Sequence, residues 1–344
     1  MNNSNNKVKY IPTLDGLRAI AILAVLIGHL VESKYGEHVL SGLGNYGVSL
    51  FFGISGYIIS TYLINEMENT DTIDFKTFYL KRLFRLMPIL WIYLLTVLCL
   101  GELGFIKNDY MGLFSSLTFW RNYSSGEVST GQLWSLSVEE HFYFLLPSLL
   151  IILKKPKKTI LSLLAICILI ALWRKLGTIQ AFLDYCSYAK YSSTNTFGRL
   201  DYMMYGVIAA YLQNHFKSLY IKFTPVPLIP ILIIIGTYLL VIPFEPVIRA
   251  TFFSIIILST VKYHNGYIGK FLELKYLRYI GKISYSLYLW QQLLMYKMRA
   301  APEILQSITG EFWSIPIAIL LASLSYKYIE NPARKYGYSK VINT

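Results

Sequence analysis

Arg18 and His29 stand in the first apolar segment, LDGLRAIAILAVLIGH, where an ionisable side chain in a bilayer is costly and functional by default. Arg18 and His29 are eleven residues apart. At about 100° per residue that spacing overshoots three turns by only about 20°, so both project from one helix face, about 16 Å apart along the axis. The pair sets an anchoring cation and a proton acceptor on one wall of a possible pore. The plainer alternatives are a snorkelling boundary arginine and a hydrogen-bonded packing histidine. In FYLKRLFRLMPILW, Arg82 and Arg85 are one turn apart and project from the same side. Two guanidiniums there could clamp phosphates, being planar, bidentate and permanently charged, or simply hold the segment at the inner boundary. Pro88 loosens the helix just above them. In QLWSLSVEEHFYFLLP, Glu139, Glu140 and His141 adjoin an apolar run. The two glutamates point about 100° apart, so at most one faces a given partner. One of them could orient or ionise His29, as a carboxylate does for a charge-stabilised base; the alternative leaves all three in the outer headgroup zone.

The elements that must position these residues are apolar helices. Of 344 residues, 55% are hydrophobic and 15% charged, against about 25% charged in a soluble domain. The mean hydropathy is +0.46. Aromatics reach 16%, with 29 Tyr, which suits side chains at membrane–water interfaces. The net charge of +13 lies between apolar runs rather than in one basic domain, so a membrane accounts for it before nucleic acid does. Cys99, Cys167 and Cys186 are scattered, with neither disulfide nor zinc spacing. Ten apolar segments are expected to span: 14–31, 46–63, 79–100, 133–153, 159–176, 200–213, 226–242, 247–262, 281–298 and 312–329. A short amphipathic piece, Tyr110 to Trp120, is expected to lie in the interface or re-enter. The expected fold class is therefore all-α, a polytopic membrane bundle of about ten helices forming a single domain over 1–344 with no attached soluble domain.

With the N-terminus inside, about two thirds of the 32 basic residues fall in inside segments, including Lys7, Lys9 and the KKPKK run. Both termini are then cytoplasmic, and the long loops 101–132 and 177–199 lie outside, where they could cover a site. The remaining polar positions have ordinary explanations. Gly47, Gly53 and Gly56 read as a close-packing face, and Arg199 and Asp201 as a boundary pair at least as readily as a substrate contact.

The chain resembles the acyltransferase-3 family of membrane O-acyltransferases that modify bacterial surface and secreted glycans. The resemblance covers residues 10–335 and rests on LDGLRAIAILAVLIGH, GVSLFFGISGY, KRLFRLMPILW, LWSLSVEEHFYFLLP, GRLDYMMYG, ISYSLYLW and SYKYIENPARKY, in family order. It implies that Arg18 and His29 form the family's arginine–histidine motif, Arg82 and Arg85 its paired-arginine motif, and Trp134 to Tyr143 its WSLS element. It implies a cytoplasmic acyl-CoA co-substrate, most simply acetyl-CoA, engaged by Arg18, Arg82 and Arg85. It also implies that His29 acts in acyl transfer, as base or transient acyl acceptor, with Glu139 or Glu140 behind it. No metal and no nucleic acid are expected. The expected partners are a glycan acceptor, membrane lipid and separate glycan-assembly proteins, at the bacterial cytoplasmic membrane. One departure matters: where relatives often carry histidine after YSLYLW, this chain has Gln291, which can serve as a hydrogen-bond partner but not as a base. The competing expectation is a glycan or lipid transporter in which His29 and a glutamate relay protons.

Overall fold

The computed structural model describes residues 10–184, 195–240 and 244–342. Lys7, Lys9, Cys186 and part of the outer loop 177–199 lie outside the described residues. Among those described there are helices and no strand. Helices occupy all ten expected apolar segments: Pro12–Tyr35, Leu43–Thr70, Phe75–Glu102, Leu133–Leu153, Pro156–Asp184, Leu200–His215, Leu228–Leu239, Glu245–Lys262, Ser284–Met295 and Ser314–Ser325. Five stretches are long and apolar enough to cross a bilayer: Pro12–Tyr35, Val39–Thr70, Phe75–Glu102, Val128–Leu153 and Pro156–Leu176. The later helices are shorter, from 12 to 18 residues. The last one continues without a break through a π-turn, Tyr326–Glu330, into Asn331–Ile342.

The local signals are readable. Pro12 opens the first helix, where its missing N–H costs nothing, and Asp15 and Lys34 complement the helix dipole at the two ends. Gly36, at φ +71°, ends it in the left-handed conformation that glycine adopts without strain. The side chain of Asp74 caps the helix Phe75–Glu102 by accepting from Thr77 N at 3.0 Å. The helix Tyr110–Leu117 is capped by Asp109 and is amphipathic in an unusual sense. It buries Gly112, Ser115 and Ser116 and exposes Tyr110, Met111, Phe114 and Leu117, an arrangement that suits a lipid-facing interfacial segment.

The chain divides into two compact units: 1–18, 49–73 and 142–278 form one, and 19–48, 74–141 and 279–344 the other. In the first, the helix Leu200–His215 is buried along nearly its whole length. A Cβ on Gly56 would lie 2.1 Å from the carbonyl oxygen of Met203, so the second helix meets this one backbone to backbone. Asp201 is fully buried and takes a bidentate pair from Arg174, while Arg199 lies over the ring of Tyr202 at 5.9 Å. Asp201 is thus buried rather than at a surface, with Arg174 of the preceding long helix as its bidentate partner and Arg199 within electrostatic reach. Arg249 is likewise buried, paired with Glu245.

In the second unit the core gathers Leu86, Ile89, Leu90, Tyr93, Leu94 and Val97 from one helix with Leu133, Leu136, Leu289 and Leu293 from two others. The helix Ser284–Met295 of this core carries Gln291, the hydrogen-bond partner of His29.

Candidate active site

His29 is half-buried near the C-terminal end of the first helix. Its Nδ1 lies 2.9 Å from Oε1 of Gln291, which is fully buried on the helix Ser284–Met295. Gln291 Nε2 donates to Gln292 Oε1 at 3.2 Å, and Gln292 Nε2 donates to the carbonyl of Val128 at 2.8 Å. The chain of bonds has a fixed polarity because a backbone carbonyl only accepts. Val128 therefore demands the amide nitrogen of Gln292. That turns the Gln292 oxygen toward Gln291, whose nitrogen must face it, and leaves the Gln291 oxygen for the histidine. Nδ1 must then carry the proton, and Nε2 of the neutral ring is left with its lone pair available. Gly44 is the neighbour on that side: a Cβ there would stand 3.6 Å from Nε2. The ring of Tyr296 lies 5.8 Å from the imidazole, and its hydroxyl donates to Glu32 at 3.0 Å.

The Val128 carbonyl is itself held. Asp109, buried in the loop after the third helix, accepts from Gly112 N at 2.9 Å, Glu127 N at 2.9 Å and the Thr130 hydroxyl at 2.5 Å. Arg121, also buried, donates to Thr130 Oγ1 at 3.0 Å and to the carbonyls of Ser124 at 2.7 Å and Glu127 at 3.2 Å. Burial pulls the Arg121 guanidinium below its ordinary value, opposed by the negative charges of Asp109 and Glu127. Tyr93 donates to Ser129 O at 2.6 Å and accepts from Gln132, and Tyr288 donates to Gln132 O at 2.9 Å. The loop 101–132 is thus a polar knot that sets the far end of the glutamine relay.

The arginines and glutamates meet at another level. Arg82 donates to Glu140 at 2.7 Å, with side chains 12% and 21% exposed. Tyr93, which bonds the loop holding the relay, is eleven residues further along the same helix, about 16 Å at 1.5 Å per residue. Arg85 is half-buried one turn from Arg82, and no hydrogen bond or ion pair joins it to another described residue. Glu139 lies within electrostatic reach of the Tyr285 and Tyr288 phenols. His141 packs between Trp120 and Tyr123, with ring centroids at 5.8 and 6.1 Å. The structure therefore joins Arg82 to Glu140 and His29 to Gln291; the contact that orients the imidazole comes from Gln291 rather than from Glu139 or Glu140. Arg18 belongs to the other unit. Among the described residues, no three His, Cys, Asp or Glu side chains gather as a metal site.

Sequence reasoning missed Gln292, Tyr296, Glu32 and the Asp109–Arg121 knot. The signal for the first was present, since two adjacent amides, Gln291 and Gln292, end an apolar helix and need partners. Glu330 was also missed. It is buried in the π-turn and accepts from Ser286 at 2.7 Å.

The fold is a bundle of helices, five of whose stretches are long and apolar enough to cross a membrane, with a hydrogen-bonded imidazole on the first. The chain belongs to the acyltransferase domain family, whose model matches residues 11–326. It is 27% identical to the peptidoglycan O-acetyltransferase OatA of Listeria monocytogenes, over 96% of this chain and 57% of that protein. It is 30% identical to the O-acetyltransferase OatA of Staphylococcus aureus, over 96% of this chain and 58% of that protein. The chain thus spans a little under three fifths of the length of these relatives. No solved structure matches it.

Proposed function

We propose that the protein transfers an acyl group, most simply acetyl, from cytoplasmic acyl-CoA to a hydroxyl of a cell-surface or exported glycan. The observation that supports it most directly is the relay Val128–Gln292–Gln291–His29, which leaves Nε2 as the proton acceptor. In this mechanism Nε2 takes the proton of the acceptor hydroxyl as its oxygen attacks the thioester carbonyl. The carbon–sulfur bond breaks, and the imidazolium returns the proton to the departing thiolate. The ester forms and coenzyme A leaves as the thiol.

Arg82 and Arg85, with Arg18 as a third candidate, take the coenzyme's phosphates. Arg82 gives part of its five-donor fork to Glu140, and in this proposal a second edge of the guanidinium meets a phosphate. Glu140 acts here by holding Arg82, and Glu139 contributes negative charge at longer range. Along the third helix, Arg82 and the residue that bonds the relay's loop, Tyr93, are about 16 Å apart, a distance that an extended pantetheine arm would bridge. All ten apolar helices cross the cytoplasmic membrane in this proposal, with both termini inside, so the donor stays in the cell while the acceptor stays out. The acceptor of the Listeria relative, peptidoglycan, is the first glycan to test, because acetyl transfer to it is what that relative is named for.

The deciding experiment is incubation of the purified protein in liposomes with radiolabelled acetyl-CoA and a peptidoglycan fragment, followed by mass analysis of the glycan. A gain of one acetyl on the glycan with matching release of coenzyme A is expected. Intact acetyl-CoA after incubation with several acceptors, while the protein moves glycan across the bilayer, would replace this reading with transport.

A further inference from the structure

A cavity of about 290 Å³ opens beside the relay. Its walls come from the loop after the third helix (Phe105, Lys107), the knot (Glu127, Ser129) and the end of the helix carrying the glutamines (Gln292, Tyr296), and its rim carries Lys297 and Arg299. Two of these residues connect it to the histidine. Gln292 is the middle of the relay, and Tyr296 lies against the imidazole at 5.8 Å. The cavity is therefore one side chain away from the group assigned to deprotonate the acceptor. At the low end of small-ligand pockets, which run roughly 300–1,000 Å³, it holds a short saccharide segment rather than a coenzyme.

Its lining has a definite chemistry. Tyr296 and Phe105 offer flat apolar faces, against which the C–H face of a sugar ring packs. Ser129 is buried, and its hydroxyl has no hydrogen-bond partner among the described residues. A buried polar atom in that condition calls for a partner, and a sugar hydroxyl in the cavity would supply one. The charges are unbalanced. Lys107 pairs with Glu127, and Glu311, within electrostatic reach of Lys297, is itself paired with Lys34; no hydrogen bond or ion pair joins Lys297 or Arg299 to another described residue. Both are exposed, and they leave two positive charges at the mouth of a concave, partly apolar site.

We propose that this cavity is the acceptor subsite and that it takes a glycan bearing a carboxylate, with the sugar ring on Tyr296 and the acid group on Lys297 and Arg299. The inference rests on the acyltransferase reading, since it supplies that reaction's second substrate. A bidentate guanidinium–carboxylate contact is the strongest single term available here, which places the acid group on Arg299 and leaves Lys297 as a diffuse attraction.

The test is binding of the full chain in phosphatidylcholine nanodiscs, measured calorimetrically. The probes are a tetrasaccharide of alternating glucuronic acid and N-acetylglucosamine and its carboxyl-reduced counterpart. The wild-type protein should bind the acidic probe at least about tenfold more tightly, and the Lys297→Gln/Arg299→Gln variant should lose that preference. Both substitutions are on exposed residues, and a Ser129→Ala variant checks the wall independently by weakening both probes. Equal binding of the two probes by the wild type, or an undiminished preference in the double variant, would overturn the subsite. So would abolition of sugar binding by phosphatidylglycerol in the nanodisc, which would assign the cations to a lipid headgroup. The two readings fail separately. Acidic-probe binding without any acyl transfer would sink the reaction, whereas acyl transfer without the binding preference would sink only the subsite.

Discussion

Nδ1 of His29 lies 2.9 Å from the amide oxygen of Gln291, and this one contact decides which ring nitrogen of the neutral imidazole keeps its lone pair. If Nε2 is the base, His29→Gln keeps hydrogen bonding but cannot take the proton, and transfer should drop at least about a hundredfold with the fold and membrane insertion intact. Gln291→Met, similar in volume but without the acceptor, should free the tautomer and lower the turnover rate by about tenfold or more. It should do so without changing the acyl-CoA concentration needed for half-saturation. Steady-state kinetics and thermal unfolding of both variants check this. A His29→Gln protein with wild-type turnover would return the histidine to a packing role.

The Arg82–Glu140 pair separates structure from donor binding. Its side chains are only 12% and 21% exposed, so removing either partner strands a charge, and Arg82→Ala or Glu140→Ala should each cost about 1–3 kcal/mol of stability. The double alanine variant should recover much of that loss in a thermal melt, because no charge is left stranded. It should not recover acyl-CoA saturation, since the phosphate contact is still missing. Arg82→Lys keeps the charge but loses the planar fork, so it should raise the half-saturating acyl-CoA concentration while expression stays unchanged. Recovery of donor affinity in the double variant would make Arg82 a purely structural residue.

The division between what was legible and what was not follows the range of the physics. Helix placement is local: runs such as AIAILAVLIG announce themselves by composition, and helices occupy all ten expected segments. The shared face of Arg82 and Arg85 is equally local. Partners are not. His29 and Gln291 are 262 residues apart, and Arg82 and Glu140 are 58 apart, so their meeting depends on which helix faces pack and in what register. Gln291 was flagged only because glutamine stood where a histidine was expected. Loop 101–132 read only as a segment that could cover a site, because a knot made by one buried aspartate, one buried arginine and backbone groups leaves no periodic pattern. The second partner of Asp201 was illegible for the same reason, since Arg174 lies a helix away.

Topology is open to a direct check. The bias of basic residues predicts that the turn between the helices Leu133–Leu153 and Pro156–Asp184, with Lys154 and Lys155, and the start of the second helix, with Lys157 and Lys158, are cytoplasmic. In a background without other reactive cysteines, Lys157→Cys should stay unlabelled by an impermeant maleimide in intact cells and react fully once the membrane is opened. A cysteine at Val39, exposed in the turn between the first two helices, should label in intact cells. The reverse pattern at both positions would invert the bundle and place the histidine level on the wrong side for an exported acceptor.

Gly44 offers a test of the base that leaves the histidine untouched. The first two helices approach closely around it: a Cβ on Gly28 would stand 2.5 Å from the Gly44 nitrogen, so the Gly44 backbone is held where it is. A Cβ on Gly44 itself would sit at ordinary contact distance, 3.5 Å from His29 Cδ2 and 3.6 Å from Nε2. Gly44→Ala should therefore fold, and should gain roughly 0.5–1 kcal/mol from the lost backbone freedom of the unfolded chain. A longer side chain extends toward the nitrogen from which the reaction is proposed to run. Gly44→Leu should lower transfer to the glycan by about tenfold or more through exclusion of the acceptor, while the histidine keeps its Gln291 bond. Hydrolysis of acyl-CoA by water, a much smaller acceptor, should suffer less. The ratio of hydrolysis to transfer in Gly44→Leu, measured against Gly44→Ala, is the readout. An unchanged ratio would mean that the acceptor does not approach Nε2 from the Gly44 side.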